Sequence, residues 1–207
     1  LFRTCNQLKD RYYLFAASYE HFAGKNVMLW DKDAILFPQK IKGKFAMLHR
    51  ILPDIQIIYF ETFKDLTLSY WKRYLKNLCK HVVLESKYWF ENRNIGGGCP
   101  PILTEKGWLL IYHAVDDMDV GRTYRAGAAL LDKDDPTKVI GRLKKPLFSP
   151  EEEWEKKGQV GNVVFPTGAT VFDEKLYIYY GATDKYIGVA SVNLNELLTE
   201  LLKNPLE

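Results

Sequence analysis

Apolar residues in this chain come in short runs separated by polar turns, and one arrangement of runs and turns returns three times. Ile35-Leu36-Phe37-Pro38 leads through Lys42-Gly43-Lys44 into Phe45-Ala46-Met47-Leu48-His49-Arg50. Cys99-Pro100-Pro101 leads through Glu105-Lys106-Gly107 into Trp108-Leu109-Leu110-Ile111-Tyr112-His113. Val163-Val164-Phe165-Pro166 leads through Asp173-Glu174-Lys175 into Leu176-Tyr177-Ile178-Tyr179-Tyr180-Gly181. Each copy predicts a short strand ending at proline, a polar turn and a longer apolar strand. Pro38, Pro101 and Pro166 lie 63 and 65 positions apart, a period that marks a repeat architecture. Ala126–Leu131 and Ile187–Val192 predict a third strand in two copies, with Gln56–Phe60 as the counterpart in the first. A partial copy stands at the front: a turn at Asp10-Arg11, a strand over Tyr12–Ala17 and another over Asn26–Leu29.

Two segments carry helical spacing instead. Trp71, Leu75, Leu78 and Val82 form one stripe, which predicts a helix over Ser69–His81 with Ser69 as its cap. Leu194–Lys203 predicts a second short helix, capped by Asn193 and followed by Pro205. Both stripes suit packing surfaces. Pro146–Lys157, dense in charge, reads as a solvated connector.

Composition narrows the class. With 47% hydrophobic and 27% charged residues over 207 positions, the chain has enough apolar material for one folded domain. A net charge of +3, with no dense basic run, gives no footprint for nucleic acid. No stretch approaches the roughly 20 apolar residues of a membrane-spanning helix, so no membrane partner is expected. Cys5, Cys79 and Cys99 are widely spaced and form no CxxC. They read as free thiols, which suits a cytoplasmic location, and not as a zinc ribbon.

Polar groups gather where the strands end. Lys32-Asp33 precedes the first copy, and His49-Arg50 ends its long strand. His113 ends the equivalent strand of the second copy, with Asp116 and Asp117 beyond it, and Asp184 follows the third. His49 and His113, 64 positions apart, are read as corresponding residues. Any one of these groups could simply meet water where a strand exits. As a converging set they suit a sugar plus an oxyanion: Arg and Lys for the anion, Asp for hydroxyls, and 13 Tyr and 5 Trp for ring faces.

Other motifs fail. Gly96-Gly97-Gly98 lacks GK[ST] and reads as a flexible approach to Pro100-Pro101. Asp117-Met118-Asp119-Val120-Gly121 has the start of a calcium loop, but Ala128 stands where its closing Glu belongs. There is no HExxH and no GxSxG. His21 and His81 are expected to be structural or exposed.

Several stretches together resemble glycoside hydrolase family 130, the mannoside phosphorylases and related mannosidases. They are Lys32–Ile41 with Gly43–Arg50, Ile95–Ile102 running into Gly107–His113, and Ala128–Asp132 with Asp135-Pro136 and Val139–Arg142. Asn162–Gly168 with Tyr179–Asp184 completes the set, so the match covers nearly all of 30–192.

The resemblance implies an all-β fold, a β-propeller of the five-bladed type. About three and a half blades are expected here, with one inserted helix and a short C-terminal helix. The single partial propeller domain divides into a partial blade at 1–30 and blades at about 31–94, 95–158 and 159–207. It implies inverting phosphorolysis of β-mannosides to α-mannose 1-phosphate, with inorganic phosphate as co-substrate and neither cofactor nor metal. The substrate and phosphate site implied comprises Lys32, Asp33, His49, Arg50, His113, Asp116, Tyr124 and Asp184. Inversion needs an acid on the leaving oxygen. The family's Asp for that role is expected upstream of residue 1.

Five blades do not fit 207 residues. Unpaired strand edges would then favour self-association or pairing with N-terminal blades. A β-mannoside hydrolase of the same family, for which Glu61 beside the first copy is the candidate, and a non-catalytic carbohydrate- or phosphate-binding fragment remain the alternatives.

Overall fold

The computed structural model describes residues 30–118 and 121–203. The expected strands at Tyr12–Ala17 and Asn26–Leu29, with Cys5 and His21, lie outside the described residues.

Twelve strands were found among the described residues, in three antiparallel sheets that follow chain order. The first sheet is β1 (Asp31–Leu36), β2 (Phe45–Ile51), β3 (Ile55–Phe60) and β4 (Val82–Leu84), each paired to the next. The second has β7 (Gly107–Met118) at its heart, with β8 (Gly121–Leu131) and β9 (Val139–Arg142) following. On the other side of β7, β5 (Asn94–Gly97) and β6 (Ile102–Thr104) pair with its two halves. The third is β10 (Val164–Phe172), β11 (Lys175–Ala182) and β12 (Tyr186–Asn193). Every strand pairing within the three sheets is antiparallel, whether the connection is a tight turn or, between β3 and β4, a longer helical excursion.

Sheets stack because each strand alternates its apolar residues between two faces. Ala46 and Leu48 of β2 face Trp108, Leu110, Tyr112 and Ala114 of β7 in one buried cluster. Leu109 and Ile111, on the opposite face of β7, join Leu176 and Ile178 of β11 in the next. Successive sheets therefore pack face to face, as propeller blades do.

The outer face of the first sheet is covered differently. Helix α1 (Leu68–Lys76) lays Tyr70, Trp71, Tyr74 and Leu75 on Phe45, Met47, Ile51, Ile58 and Phe60. The helix is shorter than its stripe predicts, and its cap is Thr67 and not Ser69. Thr67 Oγ1 accepts from Tyr70 N at 3.3 Å. It ends at Asn77, whose Nδ2 donates to the Arg73 carbonyl at 3.0 Å. A side chain that bonds its own backbone in this way stops a helix readily. Leu78–His81 then continues as a 3-10 turn, so the stripe still reaches the sheet. Helix α2 (Glu153–Lys156) is a single turn, and helix α3 (Leu194–Leu202) starts at Asn193 as expected.

The prolines mark three different local structures. Pro38 follows β1, and Pro101 sits in the break between β5 and β6. Pro166 lies inside β10, where the register shifts between Pro166 and Gly168. That shift is a bulge, the usual way a strand carries a residue without an N–H. Strand β8 begins at Gly121, well before the predicted Ala126. The connector Pro146–Lys157 is not simply solvated. Glu155 is buried within it, its Oε1 accepting from the Tyr180 hydroxyl at 2.6 Å. Cys99 is a buried free thiol. No helix among the described residues is long and apolar enough to cross a membrane.

Candidate ligand-binding site

Sheet register fixes which residues correspond. Lys32 pairs with Arg50, Gly96 with His113, and Phe165 with Gly181. Arg50, His113 and Gly181 are therefore equivalent, and His49 corresponds to Tyr112 and Tyr180. This corrects the reading of His49 and His113 as counterparts: the equal spacing hid a one-residue offset, and in a strand one residue changes the face.

On one side of that offset lies a polar cluster. The backbone of β1 bulges between Lys32 and Ile35, and Asp33 takes a left-handed conformation there (φ 56°). Asp is among the few residues that adopt it at small cost. The bulge turns the Asp33 carboxylate inward, where Arg50 Nε lies 2.9 Å from Oδ2. His113 Nε2 approaches the same oxygen at 3.6 Å, too far for a hydrogen bond.

Asp33 and His113 meet over Gly96, with Arg50 beside Asp33. A methyl on Gly96 would overlap Asp33 Oδ2 and the His113 ring. The glycine run is thus a buried strand that permits close approach, and not a flexible approach segment. Phe165 stacks on the His113 ring at 4.4 Å between centroids, and Tyr124 stands 6.3 Å from Phe165. Asn94, buried on the same strand as Gly96, leaves its Nδ2 without a hydrogen-bond partner.

Burial decides the protonation of this cluster. It pushes the His113 imidazole down to about 3, and the nearby Arg50 charge adds to the effect, opposed by the Gly97 backbone. His113 is therefore uncharged near neutrality. Burial raises the Asp33 carboxyl, while Arg50 and Lys32 oppose the rise. The arrangement offers a guanidinium, an uncharged imidazole, a carboxylate, an amide donor and an aromatic face. Such a set can hold an anion beside a polyol.

The other expected residues are placed apart. His49 is buried with both ring nitrogens engaged, Nδ1 with Asp31 Oδ1 at 2.7 Å and Nε2 with the Tyr74 hydroxyl at 2.6 Å. It ties β1 and α1 to β2. Lys32 is exposed, its Nζ 4.4 Å from the centre of the Trp30 ring. Asp184 sits exposed in the β11–β12 turn, at the same end of the sheet as Phe165. Thr183 and Asp184 both have positive φ, the geometry of a tight hairpin turn.

Asp116 is buried and pairs with Arg125, which lies over the Trp89 ring at 5.0 Å. By strand alternation these groups lie on the opposite face of the second sheet from His113. His81 is half-buried against the Tyr74 ring, as a structural histidine.

Sequence reading missed Phe165, Asn94, Arg125 and Trp89. Phe165 alone carried a usable signal, since it occupies the repeat position of Lys32 and Gly96. Two surface clefts, of about 890 and 570 Å³, are lined in part by α3 and contain none of the cluster residues. They are apolar grooves beside a helix; the convergent polar chemistry lies elsewhere. Among the described residues, no group of three or more His, Cys, Asp and Glu is placed to hold a metal ion.

Comparison with known proteins gives a consistent result. The profile of glycoside hydrolase family 130, described as β-1,4-mannooligosaccharide phosphorylase, matches residues 4–203. A 1,2-β-oligomannan phosphorylase of Thermoanaerobacter sp. (strain X514) is 43% identical over 183 residues, covering 84% of this chain and 57% of that protein. A β-1,2-mannobiose phosphorylase of the same organism is 44% identical over 162 residues, 78% of this chain and 49% of that protein. The solved β-1,2-mannobiose phosphorylase of Listeria innocua, in complex with β-1,2-mannobiose, superposes with a TM-score of 0.69. It is 34% identical, and the match covers 86% of this chain and 48% of that one. The chain spans about half the length of the curated relatives it matches.

Proposed function

The chain belongs to glycoside hydrolase family 130, and on that premise we propose that it carries part of the site of a β-mannoside phosphorylase. The observation that supports this most directly is the meeting of Asp33 and His113 over Gly96, with Arg50 beside Asp33 and the Phe165 ring stacked on His113. Arg50 holds a phosphate oxygen, with Lys32 at the same register position adding charge from the rim. Uncharged His113 and the Asn94 amide position the same anion by hydrogen bonds. Asp33 and Asp184 take sugar hydroxyls, and Phe165 and Tyr124 give the ring its apolar walls.

The reaction in this reading is inverting phosphorolysis, in which a phosphate oxygen attacks the anomeric carbon and the leaving sugar oxygen takes a proton, giving α-mannose 1-phosphate. The proton donor is expected outside these residues. Asp33 and Asp116 are each tied to an arginine. His49 is kept as a structural residue in this reading.

The similar phosphorylases named for β-1,2-linked substrates, at 43% and 44% identity, favour β-1,2-mannosides over the β-1,4 linkage of a 33% identical relative. Phosphate is the co-substrate and no cofactor is invoked. We read the three sheets as propeller blades with bounds near 31–94, 95–158 and 159–207, which their strand ranges support. Action in the cytoplasm is part of the same reading, supported by the free Cys99 thiol.

The test is incubation of the chain with phosphate and β-1,2- or β-1,4-mannobiose, with α-mannose 1-phosphate as the readout and thermal unfolding as the binding readout. Joint stabilisation by phosphate and the β-1,2 disaccharide is the expected result. Release of mannose without any need for phosphate would instead identify a hydrolase.

A further inference from the structure

We propose that Trp89, backed by Arg125 and Asp116, forms an outer sugar subsite that favours mannoside chains longer than a disaccharide. The proposal rests on the reading of the Asp33–Arg50–His113 cluster as the sugar and phosphate site.

Trp89 is a large aromatic residue left 52% exposed at the end of the second sheet. Its position is fixed by what lies beneath it. The residue opens a 3-10 turn (Trp89–Glu91) whose Glu91 is fully buried. Glu91 Oε2 accepts from Lys87 N at 2.8 Å and Tyr88 N at 3.0 Å. Its Oε1 accepts from the Tyr112 hydroxyl at 2.7 Å and from Arg142 Nη2 at 2.6 Å. An exposed indole on a turn held this firmly loses little freedom when a ligand covers it.

The chemistry around the ring fits a sugar. Arg125 lies over the indole, with its guanidinium carbon 5.0 Å from the ring centre. That guanidinium is paired to Asp116, whose carboxylate has no hydrogen-bond donor besides this ion-pair partner. An aromatic face for sugar C–H groups, beside a guanidinium for hydroxyls that the buried Asp116 carboxylate holds in place, matches the amphipathic surface of a pyranose.

The spacing sets the chain length. Asp116 stands three residues beyond His113 on β7, about 10 Å along the strand and on its other face. A ligand that touches both His113 and Trp89 must cross the end of the sheet, so it must be longer than the two units at the inner cluster. The similar proteins of this family include one named for oligomannan and one named for mannobiose, so chain length varies among them.

The experiment compares binding of β-1,2-mannobiose and β-1,2-mannotetraose to the chain in the presence of phosphate, by calorimetry, for wild type and Trp89→Ala. The tetrasaccharide is expected to bind wild type about tenfold tighter than the disaccharide. Trp89→Ala should abolish that advantage while disaccharide affinity stays unchanged. As a check on the unmutated protein, the Trp89 indole N–H resonance, assigned from Trp89→Phe, should move with the tetrasaccharide and not with the disaccharide. Equal affinities for the two sugars, or an advantage that survives Trp89→Ala, would overturn the subsite alone. If the disaccharide fails to bind wild type at all, the reading of the inner cluster falls, and the subsite falls with it.

Discussion

His49 occupies in the first sheet the register position that Tyr112 occupies in the second, and each donates a hydrogen bond to an acid from an earlier segment. His49 Nδ1 meets Asp31 Oδ1 at 2.7 Å, and the Tyr112 hydroxyl meets Glu91 Oε1 at 2.7 Å. The third sheet repeats the device with Tyr180 and Glu155 at 2.6 Å. A buried donor on the middle strand is thus satisfied three times by a carboxylate, which staples the lead-in segment to its sheet.

The second of these staples is the most deeply buried and also holds Arg142. Removing the acid would leave a guanidinium inside the protein without its partner. Glu91→Ala is expected to cost about 3–5 kcal/mol, measured as a fall in unfolding free energy in denaturant. Tyr74→Phe, which removes only the hydroxyl beside His49, should cost about 1 kcal/mol.

The state of His113 gives a pH dependence with a defined sign. Burial first, and Arg50 second, hold it at about 3, against 6.5 for the free side chain. Between those values the unfolded chain binds a proton that the folded chain refuses. The contribution of His113 to stability is therefore complete above about 6.5 and is lost as pH falls toward 3. Asp33, raised by burial, acts in the opposite sense, so the informative quantity is the difference between wild type and His113→Gln. Wild type should lose more stability than the variant between pH 7 and pH 5. Equal losses would mean that His113 is protonated in the folded protein.

Gly96 holds the inner cluster open for its own members. Gly96→Ala puts a methyl into Asp33 Oδ2 and the His113 ring, with an expected cost of about 1–3 kcal/mol. Stabilisation by phosphate and mannobiose should disappear with it. Gly168→Ala meets nothing within 4 Å and serves as the control.

The far face of the third sheet is apolar and bare among the described residues. Phe172, Tyr179, Ile187 and Val189 share it, with Ile187 85% exposed. A patch of that kind favours association. Sedimentation at rising concentration is expected to show species heavier than the 24.1 kDa chain, and Ile187→Asp should return the monomer. A wild-type monomer at every concentration would remove this expectation.

Much of this architecture was legible because it depends on local pattern. The alternation in Phe45–Arg50, Trp108–His113 and Leu176–Gly181 and the turns before them fixed strands, order and repeat. Arg50 and His113 could be picked out because an apolar strand that ends in a charged or polar group is conspicuous. What stayed hidden depends on faces and register. His49 looked like a ligand residue because adjacent strand positions read alike in sequence, although they point to opposite sides of a sheet. Arg125 and Trp89 meet only in the fold, and Asn94 stands out only by its burial, and no local pattern announces either. Glu155 was lost in a charged run because its burial depends on Tyr180, 25 positions later.

The helix on the first sheet also limits how copies of this chain can join. A head-to-tail row needs the bare face of one molecule to meet the opposite outer face of the next. In that place stands α1, which turns Lys72, Arg73 and Lys76 to solvent. Copies that meet through the bare faces of their third sheets face each other across a two-fold axis and consume both, so growth through that face stops at a pair.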